Sequence, residues 1–292
     1  MFTMADGRGT DEPMGASTNQ IPLIPLPGAE IAQLGFGVFQ VPPKDTADAV
    51  ENALDVGYRH LDTAAAYRNE AAVGRAVRAS GLDRGEVFVT TKCWNDDQGY
   101  DQAKRAFSGS LERLEFEYVD LYLIHWPVPA HDLYVDTWRA FIELQSEGLI
   151  RAIGVSNFQP AHLQRVVAET GVTPAINQVE LQPYFQQAPL RRVHEELGIV
   201  TEAWSPLAQG RVLDDPVITQ IASTHSRTPA QVVIRWHVQL GNVVIPKSVT
   251  PARIAENFDV FGFELTDAEM DAIRALDAGR RDGPDPDTFV RP

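Results

Sequence analysis

VFVTTKCWNDDQGYDQAKRAFSGSLERLEFEYVDLYLIH, residues 87–125, holds one complete strand–helix–strand unit. VFVTTK at 87–92 is a short apolar run ending at Lys92, and DLYLIH at 120–125 is another ending at His125. Between them, residues 101–115 carry helical periodicity. Strand alternating with helix predicts parallel pairing. The same unit recurs on both sides. HLD ends at Asp62, AIGVSN at Asn157, AINQ at Gln178, IVTEAW at Trp204 and VVIPK at Lys247, while LGFGVF at 34–39 supplies an eighth run at the front. Helical segments are expected at 45–55, 69–80, 134–147, 160–170, 187–197, 228–240 and 250–258. Eight such units in 292 residues predict an α/β fold, the (β/α)8 TIM barrel, whose reactive side chains emerge on one rim.

Helix starts and stops support this division. Asp45 and Asn69 are expected caps, and Thr228-Pro229 and Thr250-Pro251 each pair a cap with a first-turn proline. Gly81, Gly148, Gly171, Gly198 and Gly241 mark helix ends. Two extra helices exceed the eight-fold pattern, at 206–226 and in LTDAEMDAIRALDAG at 265–279, where Thr266 and Glu269 form a capping signature. IPLIPLPGAEIAQLGFG opens as an N-terminal β-hairpin around Pro27-Gly28, placed to plug one end of the barrel. RRDGPDPDTFVRP is expected to be a flexible loop. Residues 1–19 lack a basic segment and an apolar segment, so they are read as a disordered leader, not a secretory signal. No shift in composition marks a linker, so residues 20–292 are expected to form a single domain.

The chain is 44% hydrophobic, ample for a core, and its net charge of −15 argues against nucleic acid or an anionic membrane as partner. No apolar stretch approaches the length of a membrane span. A single cysteine, Cys93, excludes an internal disulfide and fits a reducing, cytoplasmic compartment. Its expected role is a small wall residue, not a nucleophile. No metal site is expected.

Asp62, Lys92 and His125 end successive strands, so closure of the sheet brings them together, and Tyr67 in the loop after Asp62 leans over the same mouth. A free phenol, with a pKa of about 10, is a poor acid at neutral pH. A nearby ammonium favours the phenolate, and a carboxylate can hold the ammonium in place. The expected chain runs from Asp62 to Lys92 to Tyr67, with Tyr67 donating a proton to a carbonyl oxygen and His125 donating a hydrogen bond to it. Taken singly, each of these residues is more often a satisfied ion pair or a core side chain. Their co-occurrence at successive strand ends is what points to chemistry.

Four segments carry a resemblance: GYRHLDTAAAYRNEAAVG at 57–74, LYLIHWP at 121–127, IGVSNF at 153–158 and IPKSVTPARIAENF at 245–258. In this order and spacing they resemble the aldo-keto reductase superfamily, over about Ile21 to the end. KCWNDDQGY at 92–100 is most similar to bacterial 2,5-diketo-D-gluconate reductase-type members. The resemblance implies a (β/α)8 barrel that binds NADPH and reduces aldehydes and ketones, with a tetrad on Asp62, Tyr67, Lys92 and His125. No conventional dinucleotide fingerprint is present, since Gly35-Phe36-Gly37 lacks the third glycine.

It further implies that Ser156, Asn157 and Gln178 hold the nicotinamide carboxamide and that Trp204 stacks on the ring. Ser205, Leu207, Gln209 and Gly210 lie in SPLAQGR, similar to a loop that folds over the pyrophosphate. Lys247, Ser248 and Arg253 match positions at the adenosine 2′-phosphate, which favours NADPH over NADH, Val249 matches a further cofactor-binding position, and Glu256 and Asn257 match positions at the adenine. Phe39, Trp94 and Trp126 would wall the substrate pocket with His125. Cys93 replaces a bulkier aliphatic residue, and Gln182 replaces a frequent histidine. The expected partner is a small carbonyl compound such as methylglyoxal, a keto-sugar or a simple aldehyde, and the expected state is a monomer. The same residues leave open a non-catalytic NADPH-binding sensor or subunit, and NADP-linked alcohol oxidation.

Overall fold

Pro27 and Gly28 turn the chain between Leu23–Leu26 (β1) and Ala29–Ala32 (β2), which pair antiparallel. Gly28 has φ +89°, and a Cβ there would sit 2.3 Å from the Arg151 carbonyl oxygen, so the close approach requires glycine. Leu26 and Ile31 of this hairpin share an apolar cluster with Phe88, Leu121, Ala152 and Ile176, at or near the starts of the barrel strands, and with Leu123 above them. The hairpin thus plugs the lower end of the barrel. The computed structural model describes residues 21–290, and the expected leader at 1–19 lies outside the described residues.

The barrel strands are Phe36–Gly37 (β3), His60–Asp62 (β4), Phe88–Cys93 (β5), Val119–Ile124 (β6), Ile150–Ser156 (β7), Ile176–Glu180 (β8), Val200–Trp204 (β9) and Val243–Val244 (β10). They lie in chain order and every neighbouring pair is parallel. A bridge from Leu34 to Val244 joins the two edges, with Gly35 N–H donating to the Val244 oxygen at 2.9 Å. Closure leaves no open edge. The strands are largely buried on both faces because one lines the barrel interior and the other meets helices.

The helices are Pro43–Val56 (α1), Glu70–Ala79 (α2), Tyr100–Leu114 (α3), Tyr134–Ser146 (α4), Pro160–Thr170 (α5), Ala188–Leu197 (α6), Pro216–His225 (α7), Pro229–Gln239 (α8), Pro251–Phe258 (α9) and Asp267–Arg274 (α10). The segment expected as one helix at 206–226 is a 3₁₀ stretch, Ala208–Asp214, followed by α7. Left-handed φ values at Gln209 and Gly210 interrupt it.

Other details depart from the expectation. Asp45 does not cap α1, which begins two residues earlier because Pro42-Pro43 presets helical entry. Asn69 stands at the N-cap of α2 without capping it; its amide donates to the Val38 oxygen and its carbonyl accepts from Thr63 Oγ1 at 2.7 Å. Thr250 likewise makes no side-chain cap, whereas Thr228 and Thr266 both form capping boxes. VVIPK keeps only its first two residues as strand. Pro246 has no N–H to extend the ladder. AINQ runs on to Glu180, two residues past the expected end.

Candidate active site

Alternation along β4 and β5 turns Asp62 and Lys92 inward near the upper rim. Lys92 is fully buried. Its Nζ donates to Asp62 Oδ1 at 2.6 Å, to the Thr63 oxygen at 2.9 Å and to the Tyr67 hydroxyl at 3.4 Å. The other Asp62 oxygen accepts from Gln178 Nε2 at 2.7 Å. A charge at such depth is strongly unfavourable unless paired and hydrogen-bonded, and both conditions are met here. Tyr67 ends a short 3₁₀ turn, Ala65–Tyr67, whose exit is left-handed at Arg68. The buried Asn69 side chain ties this loop to Thr63 and Val38. The loop therefore presents Tyr67 to Lys92 from above the strands.

His125 immediately follows β6 and lies with its ring centroid 5.6 Å from Tyr67 and 5.0 Å from Trp94. Burial, with Lys92 adding to it, holds the imidazole well below its ordinary pKa, so it is neutral. Its Nδ1 is buried without a hydrogen-bond partner among the described residues. For Lys92, burial is the largest single influence and pulls downward, but attraction to Asp62, Tyr67 and Glu202 raises it overall, so it stays an ammonium. The Tyr67 phenol is pushed up to about 12 by burial, against the pull of Lys92. This reverses the net direction expected from Lys92 alone, because removing water from the phenolate outweighs one ammonium. Tyr67 consequently holds its proton at physiological pH.

The residues matched to the nicotinamide form one hydrogen-bonded network with this centre. Ser156 Oγ donates to the Gln178 oxygen at 2.8 Å. Asn157, at φ 64° just past β7, donates to the His125 oxygen at 3.0 Å and to Ser156 Oγ at 3.0 Å. Its carbonyl accepts from Trp204 Nε1 at 2.9 Å. Beyond β9, positive φ at Ser205, Ala208, Gln209 and Gly210 coils the chain into a tight loop, with Leu207 half-buried within it. Lys247 and Val249 are exposed and Ser248 is buried between β10 and α9, while Arg253 is exposed on the first turn of α9. Neither Lys247 nor Arg253 has an ion pair or hydrogen bond among the described residues. Glu256 accepts from Thr228 Oγ1 at 2.9 Å, and Asn257 is buried.

At the mouth, Phe39 is 53% exposed yet packs on Tyr67 at 5.0 Å, and Trp94 is half-buried beside His125. Trp126 is buried because Phe289 of the C-terminal loop covers it at 4.5 Å. Cys93 is fully buried and burial pushes its thiol up, which fits a wall residue.

Several residues with a place in this geometry escaped sequence reasoning. Glu180 accepts the backbone N–H groups of Asp282 and Gly283 at 2.7 and 2.8 Å, fastening the C-terminal loop to β8. Gln182, singled out in the sequence only as standing where a histidine is frequent, donates to the Arg280 oxygen at 3.2 Å, and Arg211 pairs with Asp282. Gly283 lies so close to Trp204 that a Cβ would stand 2.5 Å from its Cη2. Glu202 is buried on β9. Period-2 alternation from Gln178 and Trp204 would have turned Glu180 and Glu202 inward. Nothing local signals the Arg211 or Gly283 contacts.

A model of the aldo/keto reductase family matches residues 32–278. An aldo-keto reductase of Mycolicibacterium smegmatis (strain ATCC 700084 / mc(2)155) is 59% identical over 262 residues, 90% of this chain and 95% of its own length. Methylglyoxal reductase DkgA of Escherichia coli (strain K12) is 54% identical over 264 residues, again 90% of this chain and 95% of its own. Among solved structures, a mutant of Gox0644 in complex with NADPH superposes with a TM-score of 0.90 at 50% identity, covering 93% of this chain and all of that one.

Proposed function

The chain belongs to the aldo/keto reductase family, and from that membership we infer that it is an NADPH-dependent oxidoreductase that reduces small carbonyl compounds, with Tyr67 as the proton donor. The residues present fit the cofactor. Lys247 and Arg253 are two cations without an acidic partner among the described residues, beside the N-terminus of α9, in a chain of net charge −15. That pairing suits the 2′-phosphate that distinguishes NADPH from NADH. Ser248, Val249, Glu256 and Asn257 complete the adenosine end. Ser205, Leu207, Gln209 and Gly210 would pass over the pyrophosphate. Ser156, Asn157 and Gln178 offer amide and hydroxyl partners to a carboxamide, and Trp204 offers a flat face.

Bound NADPH supplies a hydride for the carbonyl carbon. Everything else falls to this chain. Tyr67 gives its hydroxyl proton to the carbonyl oxygen as negative charge develops there. Lys92 stabilises the phenolate left behind, and Asp62 keeps Lys92 charged and aimed. Neutral His125 orients the carbonyl by a hydrogen bond to the same oxygen. Phe39, Trp94 and Trp126 exclude water from the mouth. The observation that carries this reading is the position of Lys92 Nζ, bonded to Asp62 at 2.6 Å and to Tyr67 at 3.4 Å. The substrate class we favour is the small α-dicarbonyl, represented by methylglyoxal, with keto-sugars such as 2,5-diketogluconate beside it. The support is the 54% identity to a protein named methylglyoxal reductase and the aromatic mouth.

The test is NADPH consumption with methylglyoxal, a diketo-sugar and an aromatic aldehyde, in the wild type and in Tyr67→Phe. Loss of general-acid catalysis costs roughly 10² to 10⁴ in rate. A Tyr67→Phe enzyme that kept full turnover would remove the acid assignment.

A further inference from the structure

Glu202 is a second carboxyl inside the barrel, and nothing in the reaction described so far uses it. It sits on β9, level with Gln178 of β8 and Val243 of β10. It is fully buried, and neither carboxyl oxygen has a hydrogen-bond partner among the described residues. Across the barrel, His60 Nε2 lies 3.6 Å from Glu202 Oε1. His60 is one alternation below Asp62 on β4, and its ring backs onto Gly35, where a Cβ would come within 2.3 Å of Nδ1.

The groups that face this carboxyl do not neutralise it. Burial, reinforced by Lys92, holds His60 down to about 3, so it is uncharged. Asp62 on β4 is another carboxyl, and Lys92 on β5 is already matched to it at 2.6 Å. Tyr67 stands beyond Lys92 and keeps its proton. The Gln178 amide and the Lys92 ammonium favour the anion, but less than burial and Asp62 oppose it, and Val243 does not titrate. An ionised Glu202 would therefore leave one uncompensated negative charge in the interior, which low polarisability makes strongly unfavourable. The neutral acid wins, and burial, with repulsion from Asp62 second, lifts the group to about 8.

We propose that Glu202 is a positioning residue of the reductase centre: as the neutral acid it leaves the Asp62–Lys92 pair balanced, so that Tyr67 is poised to donate, and its ionisation weakens that donor. The proposal rests on Tyr67 being the acid. An anion on β9 favours the Lys92 ammonium and disfavours the phenolate that Tyr67 must become. Carbonyl reduction consequently slows as Glu202 loses its proton on the alkaline side of neutrality. A fully buried carboxyl whose neighbours leave its oxygens short of well-formed hydrogen bonds is also less favourable for stability than an apolar side chain of its size, so its presence calls for such a role.

The experiment is the pH dependence of kcat/KM for carbonyl reduction at saturating NADPH, in the wild type and in Glu202→Gln. The wild type is expected to fall roughly tenfold through an inflection near pH 8, the effect of about one pKa unit on Tyr67. Glu202→Gln, neutral at every pH, is expected to lack that inflection. Superimposable profiles would overturn the proposal. Infrared titration of the wild type supplies a second readout that does not depend on how well the variant folds. A protonated-carboxyl band that disappears in step with the fall in kcat/KM supports the proposal, and absence of that band at neutral pH overturns it. Tyr67→Phe separates the two layers. Full activity in that variant removes the acid assignment, whereas lost activity together with an unshifted Glu202→Gln profile removes only the role of Glu202.

Discussion

Gly283→Ala places one methyl group where two parts of the site meet, and its cost can be worked from distances. The new Cβ would stand 2.5 Å from Trp204 Cη2 and 3.0 Å from Glu180 Oε2. Carbon–carbon contacts are optimal at about 3.5–4.0 Å, so the loop must retreat by about 1 Å. The Gly283 and Asp282 bonds to Glu180, at 2.8 and 2.7 Å, then stretch beyond hydrogen-bond range. A hydrogen bond to a charged group contributes about 1.5 kcal/mol or more, and losing one or both weakens the closed loop by about 1.5 to 3 kcal/mol. Since 1.4 kcal/mol is about tenfold, the Michaelis constant of the carbonyl should rise roughly ten- to a hundredfold. The rise should fall on the carbonyl because the same loop carries Phe289 onto Trp126. Steady-state kinetics with methylglyoxal, beside fluorescence titration of NADPH, measures both constants. Glu180→Gln should act in the same direction, and the double variant should cost less than the two single effects combined. Gly283→Ala kinetics within twofold of wild type would refute the reasoning.

Two further outcomes are expected. Lys247→Ala and Arg253→Ala should each raise the Michaelis constant for NADPH about tenfold, the worth of one charge-assisted phosphate contact, with little change for NADH; equal rises for both cofactors would remove the phosphate role. Acid should destabilise the fold through four buried imidazoles: His60, His194 and His237, held down to about 3, 4 and 3 from an ordinary 6.5, and His125, held well below it, all chiefly by burial. The unfolded chain takes up these protons below about 6.5 and the folded chain does not, so this contribution to stability is lost as pH falls through that window. Glu202, pushed up to about 8, works the other way, being protonated in the fold while ionised in the unfolded chain between about 4.5 and 8. For these five groups the balance near pH 5, four protons against about one, is a loss of roughly 4 kcal/mol per pH unit. Melting temperatures followed from neutrality to about pH 5 check it, and a flat profile would contradict the burial of these rings in the neutral form.

Much of the fold was legible because strand and helix periodicities are short-range. Seven of the eight apolar runs used to count units end at or within two residues of an observed strand end, and the hairpin at Pro27-Gly28 turns where its sequence places the turn. Boundaries failed where a backbone restriction outranked a side-chain signal. Pro42-Pro43 started α1 before Asp45, and Pro246 cut short the run VVIPK. The Asp62–Lys92–Tyr67 cluster could be expected from strand ends alone. The direction of the Tyr67 shift could not, because it depends on how much water the folded mouth excludes.

The chain read by itself specified an eight-fold α/β repeat, one rim for chemistry and the four titratable groups that meet there. It did so because alternation and helical period are written in neighbouring residues. Only folding decided that Glu180 would hold Asp282 and Gly283, 102 and 103 positions away, that Gly283 would press on Trp204, and that Glu202 would stand beside His60 without a cation of its own. Those contacts arise where barrel closure and the returning C-terminal loop bring distant segments into one low-dielectric space, and no local pattern encodes which side chains water will leave.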